Sequence, residues 1–598
     1  MMAEWFRAGA QDFSFGAMRN FEAATRLTIV LCLLLVASFC VWTLDRGFDI
    51  TDEAYYLLLA MHPEAVSLYI SAQQWVSSLI WQLTGSLVAF RAAGMALLVA
   101  GAAILSWGVL AALPQVGGSR SATCPRQRPI VLASSITCAL VYIETIAFSP
   151  SYNLLATAGA YGAAGLVFLA LGRTSGKRLA LLALAGCTLA VEFVSKPSAG
   201  VATFGLLAVW ICLLYPGWRT IVSSLAMLAT GMLLVVNLLL VSNTSYEAAQ
   251  VDIREGLALF SMVQTEFVGD RLLRYAIEYM DRVRHGFSTY PILVAAVAAY
   301  LITRRKLLAL LCIPALLYTL TTIDYRLGYT GHYEAHFVAQ SELGFVLLSM
   351  ALLVSFSAWR TAPRLIIVLA GLFLLPYTVG VGTGNALFTQ VLATLAPWGT
   401  LVAILAGLHY SRRADQAMVM VLAAGFISCY MLQTVTGVVR SPYHLVEPML
   451  LQKFPVTVGK LGTVRVDAQT HAFVEDIQQA AKRCGIAPDM PFLGLYNVPG
   501  VALILQAVPP VTPWLNNLAQ AEVVLRRMPA AMIEASTIAV LLDDKGQLPR
   551  LPSALGPLDD QRRWCGASDF PLLIQQIQIW RPHASAAVPR LADSPARP

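Results

Sequence analysis

Apolar residues run in blocks near the length a helix needs to cross a bilayer, about 20 residues. The blocks recur from residue 27 to about residue 438 and then stop. Windows of transfer hydrophobicity predict about thirteen spans, near 27–44, 90–112, 129–148, 153–172, 179–195, 199–215, 220–242, 291–303, 307–323, 343–359, 365–382, 389–410 and 417–438. The first block is too long for a cleavable signal, and a polar stretch of 26 residues precedes it. Past residue 440 the pattern shortens. Residues 460–467, 491–496, 537–542 and 572–580 read as strands, 470–484 and 521–534 as helices, and 497–500 turns into a helix. Strands alternating with helices predict a small α/β layer fold. The final residues, rich in Ala, Pro, Ser and Arg, read as disordered.

The expected fold class is therefore a polytopic α-helical membrane protein with a trailing α/β domain. A cytoplasmic segment covers 1–26, and a transmembrane domain, 27–438, carries a large outer loop at 45–89. An extracytoplasmic α/β domain covers 439–585, and a disordered tail 586–598. Composition agrees: 57% of the 598 residues are hydrophobic, 13% are charged, and the mean hydropathy is +0.66, which excludes a soluble globular chain.

Charge sets the orientation. Bases gather in alternate connections: Arg120, Arg126 and Arg128; Arg173, Lys177 and Arg178; Arg219; Arg304, Arg305 and Lys306; Arg360 and Arg364; Arg412 and Arg413. The excess of Lys and Arg in cytoplasmic loops puts these inside and 45–89 outside, and an odd span count sends the C-terminal domain outside as well. The expected location is a bacterial inner membrane, multi-pass, with that domain in the periplasm. The net charge of +7 comes largely from these anchors and gives no reason to expect nucleic acid. Of ten cysteines only Cys484 and Cys565 lie in the tail, where an oxidising compartment allows a disulfide between them.

Candidate chemistry starts directly after the first span, in Gly47-Phe-Asp-Ile-Thr-Asp-Glu-Ala-Tyr-Tyr56. If this stretch turns helical, Asp49, Asp52, Glu53 and Tyr56 share one face. Capping explains acids at a helix start, Asp49 as the cap and the other two in the first turn. The sharper reading is a general base and a polar anchor at a membrane-surface active site. The rest of 45–89, with Tyr69, Gln73, Gln74, Trp75 and Trp81, reads as amphipathic surface helices running up to Arg91. Residues 243–290 mix charges at helical spacing, as a solvated helix with internal ion pairs would. Residues 331–336, Gly-His-Tyr-Glu-Ala-His, supply His332, Tyr333, Glu334 and His336. These lack the His-Glu-x-x-His order, so polar contacts to a sugar or phosphate are expected of them rather than a metal. Lys196 ends the fifth span beside Pro197, four residues after Glu192: either a structural ion pair or a cation for a lipid phosphate. Glu144 is a further intramembrane charge. Gly494-Leu-Tyr-Asn-Val-Pro-Gly500 lacks the paired glycines of a nucleotide loop.

Asp52-Glu53-Ala-Tyr-Tyr56, placed after the first span and before surface helices, resembles the Asp-Glu motif of the GT-C membrane glycosyltransferases. The nearest branch holds the protein O-mannosyltransferases and the lipid A aminoarabinose transferases. The span count, outward C-terminus and trailing domain are similar too. The resemblance implies an inverting transfer of a sugar from a polyprenyl-phosphate carrier to a lipid, glycan or protein acceptor on the outer face; no cofactor is expected, with a divalent metal as the alternative that Asn153 weakens. It implies Asp52 as catalytic base, with Glu53 beside it in the catalytic pair, Tyr56 as a neighbour in the pocket and Lys196 as the carrier-phosphate contact; Asp49, Arg91 and Asn153 are further expected substrate contacts. The chain departs from the family in Lys196-Pro197, where Lys-Gly-Pro is usual, and in Ser149-Pro-Ser-Tyr-Asn153, where a second acid is expected. Asn153 there can bind but cannot act as a base. The competing reading is a transporter or lipid flippase with a periplasmic sensory domain, which accounts for the spans and intramembrane charges but poorly for so large a first outer loop.

Overall fold

The computed structural model describes residues 15–66, 71–117, 127–262, 268–303, 312–319, 333–382, 385–572 and 575–583, without the side chains of 15–20, 268 and 333–337. The helices of the apolar region are α1 (Phe15–Thr43), α2 (Asp52–Met61), α3 (Gln73–Thr84), α4 (Leu87–Gly117), α5 (Arg128–Leu140), α6 (Tyr152–Ala170), α7 (Ser175–Ser195), α8 (Pro197–Leu214), α9 (Trp218–Asn243), α10 (Tyr246–Ser261), α11 (Val268–Thr289), α12 (Pro291–Thr303), α13 (Tyr333–Trp359), α14 (Pro363–Gly380), α15 (Ala396–Gly407) and α16 (Arg413–Arg440).

Among the described residues nine of these are long and apolar enough to cross a membrane: α1, α4, α6, α7, α8, α9, α13, α14 and α16. The protein is a multi-pass membrane protein. A tenth candidate is a bent pair, Gly269–Thr289 with Pro291–Thr303, whose halves meet at 81°. Two expected spans resolve into shorter pieces. The block at 129–148 is α5 followed by a 3-10 turn, Val141–Glu144, and the block at 389–410 is a 3-10 turn, Thr389–Thr394, followed by α15. Every α15 residue but the last is buried, so its apolar run reports the bundle interior rather than lipid. The block at 307–323 lies largely outside the described residues.

Close helix contacts set the geometry around the site. A side chain at Gly108 of α4 would meet the carbonyl of Gly165 on α6 at 2.0 Å, so the two backbones touch. Nearer the start of α4, a side chain at Gly94 would meet the Phe148 carbonyl at 1.8 Å, so that end of the helix, which carries Arg91, lies against the segment leading into α6.

The C-terminal part opens with an antiparallel pair, β1 (Phe454–Thr457) and β2 (Thr463–Val466). Helix α17 (Ala468–Cys484) follows, capped by Asp467, whose side chain accepts from the Thr470 amide. A four-stranded sheet is built from β3 (Phe492–Leu495), β4 (Thr537–Leu541), β5 (Arg562–Phe570) and β6 (Gln575–Pro582), in the order β3-β4-β6-β5. The first pair is parallel and the others antiparallel. The helix expected over 521–534 is two pieces, α19 (Leu518–Arg527) and α20 (Ala530–Ala535), broken at Pro529; α18 (Pro499–Leu505) precedes them. Strands β1 and β5 are additions to the sequence reading. Cys484 and Cys565 form a disulfide with Cα atoms 5.6 Å apart, joining the end of α17 to β5.

The core under this sheet is shared. Phe48, Ile50, Ala54, Leu57 and Leu58, from the outer loop, belong to the same buried cluster as Val456, Phe473, Val501 and Ile577. The backbone continues the union: the Gly47 amide donates to the Arg465 carbonyl and the Arg465 amide to the Asp45 carbonyl, each at 2.8 Å.

Candidate active site

The acidic segment folds as a cap and a first turn. Asp49 Oδ1 accepts from the Thr51 amide (2.8 Å) and hydroxyl (2.6 Å), and its Oδ2 accepts from the Glu53 amide at 3.2 Å. Those bonds satisfy donors at the start of α2. Asp49 is buried, and burial with the Asp52 charge beside it holds its carboxyl well above the usual carboxylate range, against the Thr51 donors.

Glu53 faces the other way and is fully buried. Its carboxylate meets the Arg91 fork, Nε at 2.7 Å and Nη2 at 2.5 Å, and accepts from the Ser149 hydroxyl at 2.5 Å. Arg91 gives its remaining donors to the carbonyls of Leu44 (3.0 Å), Arg46 (3.0 Å) and Gly47 (2.9 Å). All five guanidinium donors are used. Glu53 and Arg91, both candidate site residues, hold each other and the turn at 44–47. Ser149 stands where an acid was expected, and it serves that same pair.

Asp52 keeps a partly exposed side chain, 19%. Its Oδ2 accepts from the Tyr443 hydroxyl at 2.5 Å. The His444 ring stacks on Tyr443 at 3.9 Å and sets Nδ1 3.0 Å from the Thr51 hydroxyl, 3.7 Å from Asp52 Oδ2 and 3.8 Å from Asp49 Oδ2. Sequence reasoning passed over Tyr443 and His444. The available signal was their place, in Ser441-Pro-Tyr-His444, directly after the last span on the same expected side as Asp52. Asp49, Asp52 and His444 can bring ligand atoms within 4.8 Å of one another, a set of two oxygens and one imidazole nitrogen that suits a divalent cation. Such a cation would share Asp49 with the Thr51 and Glu53 donors, while one Asp52 oxygen carries no hydrogen bond among the described residues. Among the described residues this is the one group of acids and histidines placed to hold a metal ion.

An aromatic wall leads from Asp52 to Lys196. Tyr55 and Tyr56 touch at 5.3 Å between ring centroids, Tyr56 and Tyr152 at 5.9 Å, and the Lys196 ammonium lies 5.8 Å from the Tyr152 centroid. Lys196 sits at the break between α7 and α8, where Pro197 begins the second helix. Its Nζ donates to the Val379 carbonyl at 2.8 Å and to Asn153 Oδ1 at 3.3 Å. Glu192 makes no ion pair with it among the described residues; Glu192 Oε1 accepts from Thr203 at 2.7 Å. Glu144 has a partner, Gln340 Nε2 at 2.9 Å. His332 lies outside the described residues, and for Tyr333, Glu334 and His336 only the backbone of α13 is described.

A small cavity of about 40 Å³ runs beneath the acids, lined by Asp49, Glu53, Arg91, Phe148 and Tyr443 among others. It is room for a few waters and not for a sugar.

No family model matches the chain, and no curated protein matches it. Among solved structures it is similar to an oligosaccharyltransferase of Archaeoglobus fulgidus tethered with an acceptor peptide, at 12% identity over 89% of this chain and 69% of that one, with a TM-score of 0.41. It is similar also to the human organic anion transporter MFSD10, at 16% identity over 69% of this chain and 93% of that one, with a TM-score of 0.12. Both likenesses are too loose to decide the chemistry, which rests on the residues above.

Proposed function

We propose that this chain is an integral-membrane inverting glycosyltransferase that moves a sugar from a polyprenyl-phosphate carrier to a hydroxyl or phosphate of a lipid, glycan or protein acceptor on the outer face. The observation that carries the reading is the pairing of a partly exposed carboxylate, Asp52, with a buried cation, Lys196, along one aromatic wall. A sugar phosphate is already a good leaving group. What remains is to take a proton from the acceptor and to stabilise the departing phosphate. Asp52 supplies the first, with one oxygen held by Tyr443 and the other without a hydrogen bond among the described residues. Lys196 supplies the second by exchanging the Val379 carbonyl or Asn153 for a phosphate oxygen. Tyr56 and Tyr152 offer rings for the sugar face. A single base and no covalent nucleophile give inversion at the anomeric carbon. Glu53 and Arg91 act as positioning residues.

The test is direct. Purified protein is incubated with a panel of radiolabelled polyprenyl-phosphate sugars and membrane extract, and labelled product is sought. Transfer from at least one donor, abolished in Asp52→Asn, is the expected result. No transfer from any donor by folded protein overturns the reading.

A further inference from the structure

We infer that α11 is not a solvated helix but lies flat at the membrane surface, with one side sunk among lipid acyl chains. Its partner is the bilayer itself, at the boundary between headgroups and hydrocarbon.

The helix has three sides. One packs inward through Tyr275, Tyr279, Gly286 and Phe287: Tyr279 meets Phe345 at 5.9 Å, and a side chain at Gly286 would touch Glu342. Arg282 and His285 reinforce that side by reaching the buried Glu342 carboxylate at 3.5 and 2.8 Å. A second side is polar and exposed, with Asp270, Asp281 and Ser288. The third is apolar and equally exposed. Leu273, Ile277 and Met280, at spacings of four and three, form one stripe and stand 61%, 61% and 68% accessible. A stripe of large apolar side chains beside a polar stripe is the pattern of a helix that lies in an interface.

Geometry supplies a second, independent observation. The chain turns by 81° from α11 into α12, which is apolar along its whole length. With α12 entering the bilayer along its normal, α11 runs almost parallel to the surface. Ile292, at the start of α12, is half exposed and continues the apolar stripe into the membrane. On α9, a helix long and apolar enough to cross the membrane, Leu233, Leu234 and Leu238 form an exposed row of the same kind. Arg284 completes the α11 stripe at i+11 from Leu273, and its long stem lets the guanidinium reach phosphate headgroups while the carbons stay in hydrocarbon.

The experiment uses the full chain in nanodiscs of phosphatidylethanolamine and phosphatidylglycerol. Single cysteines replace Leu273, Ile277, Met280, Asp281 or Ser288 and carry a polarity-sensitive fluorophore, with labelled wild type as background. Labels at 273, 277 and 280 should show blue-shifted emission, quenching by lipid carrying a nitroxide high on the acyl chain, and protection from iodide. Labels at 281 and 288 should remain open to iodide. Equal iodide quenching at all five positions would overturn the inference in favour of a solvated helix. Blue-shifted emission at 273–280 without lipid quenching would overturn it in favour of a second copy or another protein covering the stripe.

Discussion

Tyr443 donates its hydroxyl to Asp52 across 391 residues of chain, at 2.5 Å. This bond joins the segment after the last span to the acid after the first, and it fixes which Asp52 oxygen is left for an acceptor. Asp52→Asn keeps the size and helix-start chemistry and removes the basicity. Normal membrane insertion with transfer lowered at least ~100-fold is expected, the low end of general-base contributions. Turnover near wild type in the Asn variant would remove Asp52 from the mechanism. Tyr443→Phe removes a hydrogen bond to a charged group, worth about 1.5–3 kcal/mol, and should slow transfer roughly tenfold or more with the fold intact.

Lys196 is tied to Val379 and Asn153, not to Glu192. Lys196→Ala should raise the donor KM or lower kcat while the melting temperature changes little. Adding Glu192→Gln should not restore activity, because no ion pair is left broken. Recovery in the double variant would show the lysine to be structural.

The Glu53–Arg91 pair makes the opposite demand. Breaking a buried pair by removing one partner costs about 3–5 kcal/mol. Glu53→Gln or Arg91→Met should each lower the melting temperature and the yield of folded protein. The double variant should recover only part, since the carbonyls of Leu44, Arg46 and Gly47 still lose their donors. Stable single variants with a raised donor KM would place this pair in substrate binding instead.

Burial and the neighbouring Asp52 raise the Asp49 carboxyl in the folded state. The folded chain thus holds that proton more tightly than the unfolded chain does. The stability from this group is complete below the ordinary carboxylate range and is lost as pH rises through the raised value. Asp49→Asn should flatten that fall, as read from melting temperatures of the two proteins across mildly acidic to neutral pH. Parallel curves would count against the shift.

The Cys484–Cys565 disulfide closes 81 residues of sequence. In the chain-entropy model such a link contributes roughly 4–5 kcal/mol. A membrane-impermeant thiol reagent on intact cells should label the domain only after reduction. Failure to label in either state, with the domain reachable after lysis, would place it in the cytoplasm and overturn the proposed topology.

Asp49, Asp52 and Lys196 stand out as candidates in the sequence because local order marks them: acids at a helix start just past a span, and a lysine before a proline. The nine helices that are long and apolar enough to cross a membrane among the described residues were legible for the same reason, as length and apolarity are local. Tyr443 and His444 were not, since only folding carries them 390 residues back to Asp52. The pairing of Glu53 with Arg91 was not legible either, since 38 residues separate them and only folding brings the two together. The charges of 268–289 hid Leu273, Ile277 and Met280, which matter by their side of the helix and not by their number. Strand β1 has four residues and a proline, and β5 carries a bulge between Trp564 and Gly566, so neither shows a clean alternation.

The shared core of the outer loop and the C-terminal sheet also sets a clock. Chains grow at roughly 5–20 residues per second, so on the order of 20–80 s separate the emergence of Asp52 from that of Tyr443. During that interval Phe48, Ile50 and Leu57 have no sheet to lie against, and Asp52 has no phenol to hold it. A chain halted before residue 443 should insert and yet be unable to turn over, so the act of completing synthesis is what arms the site.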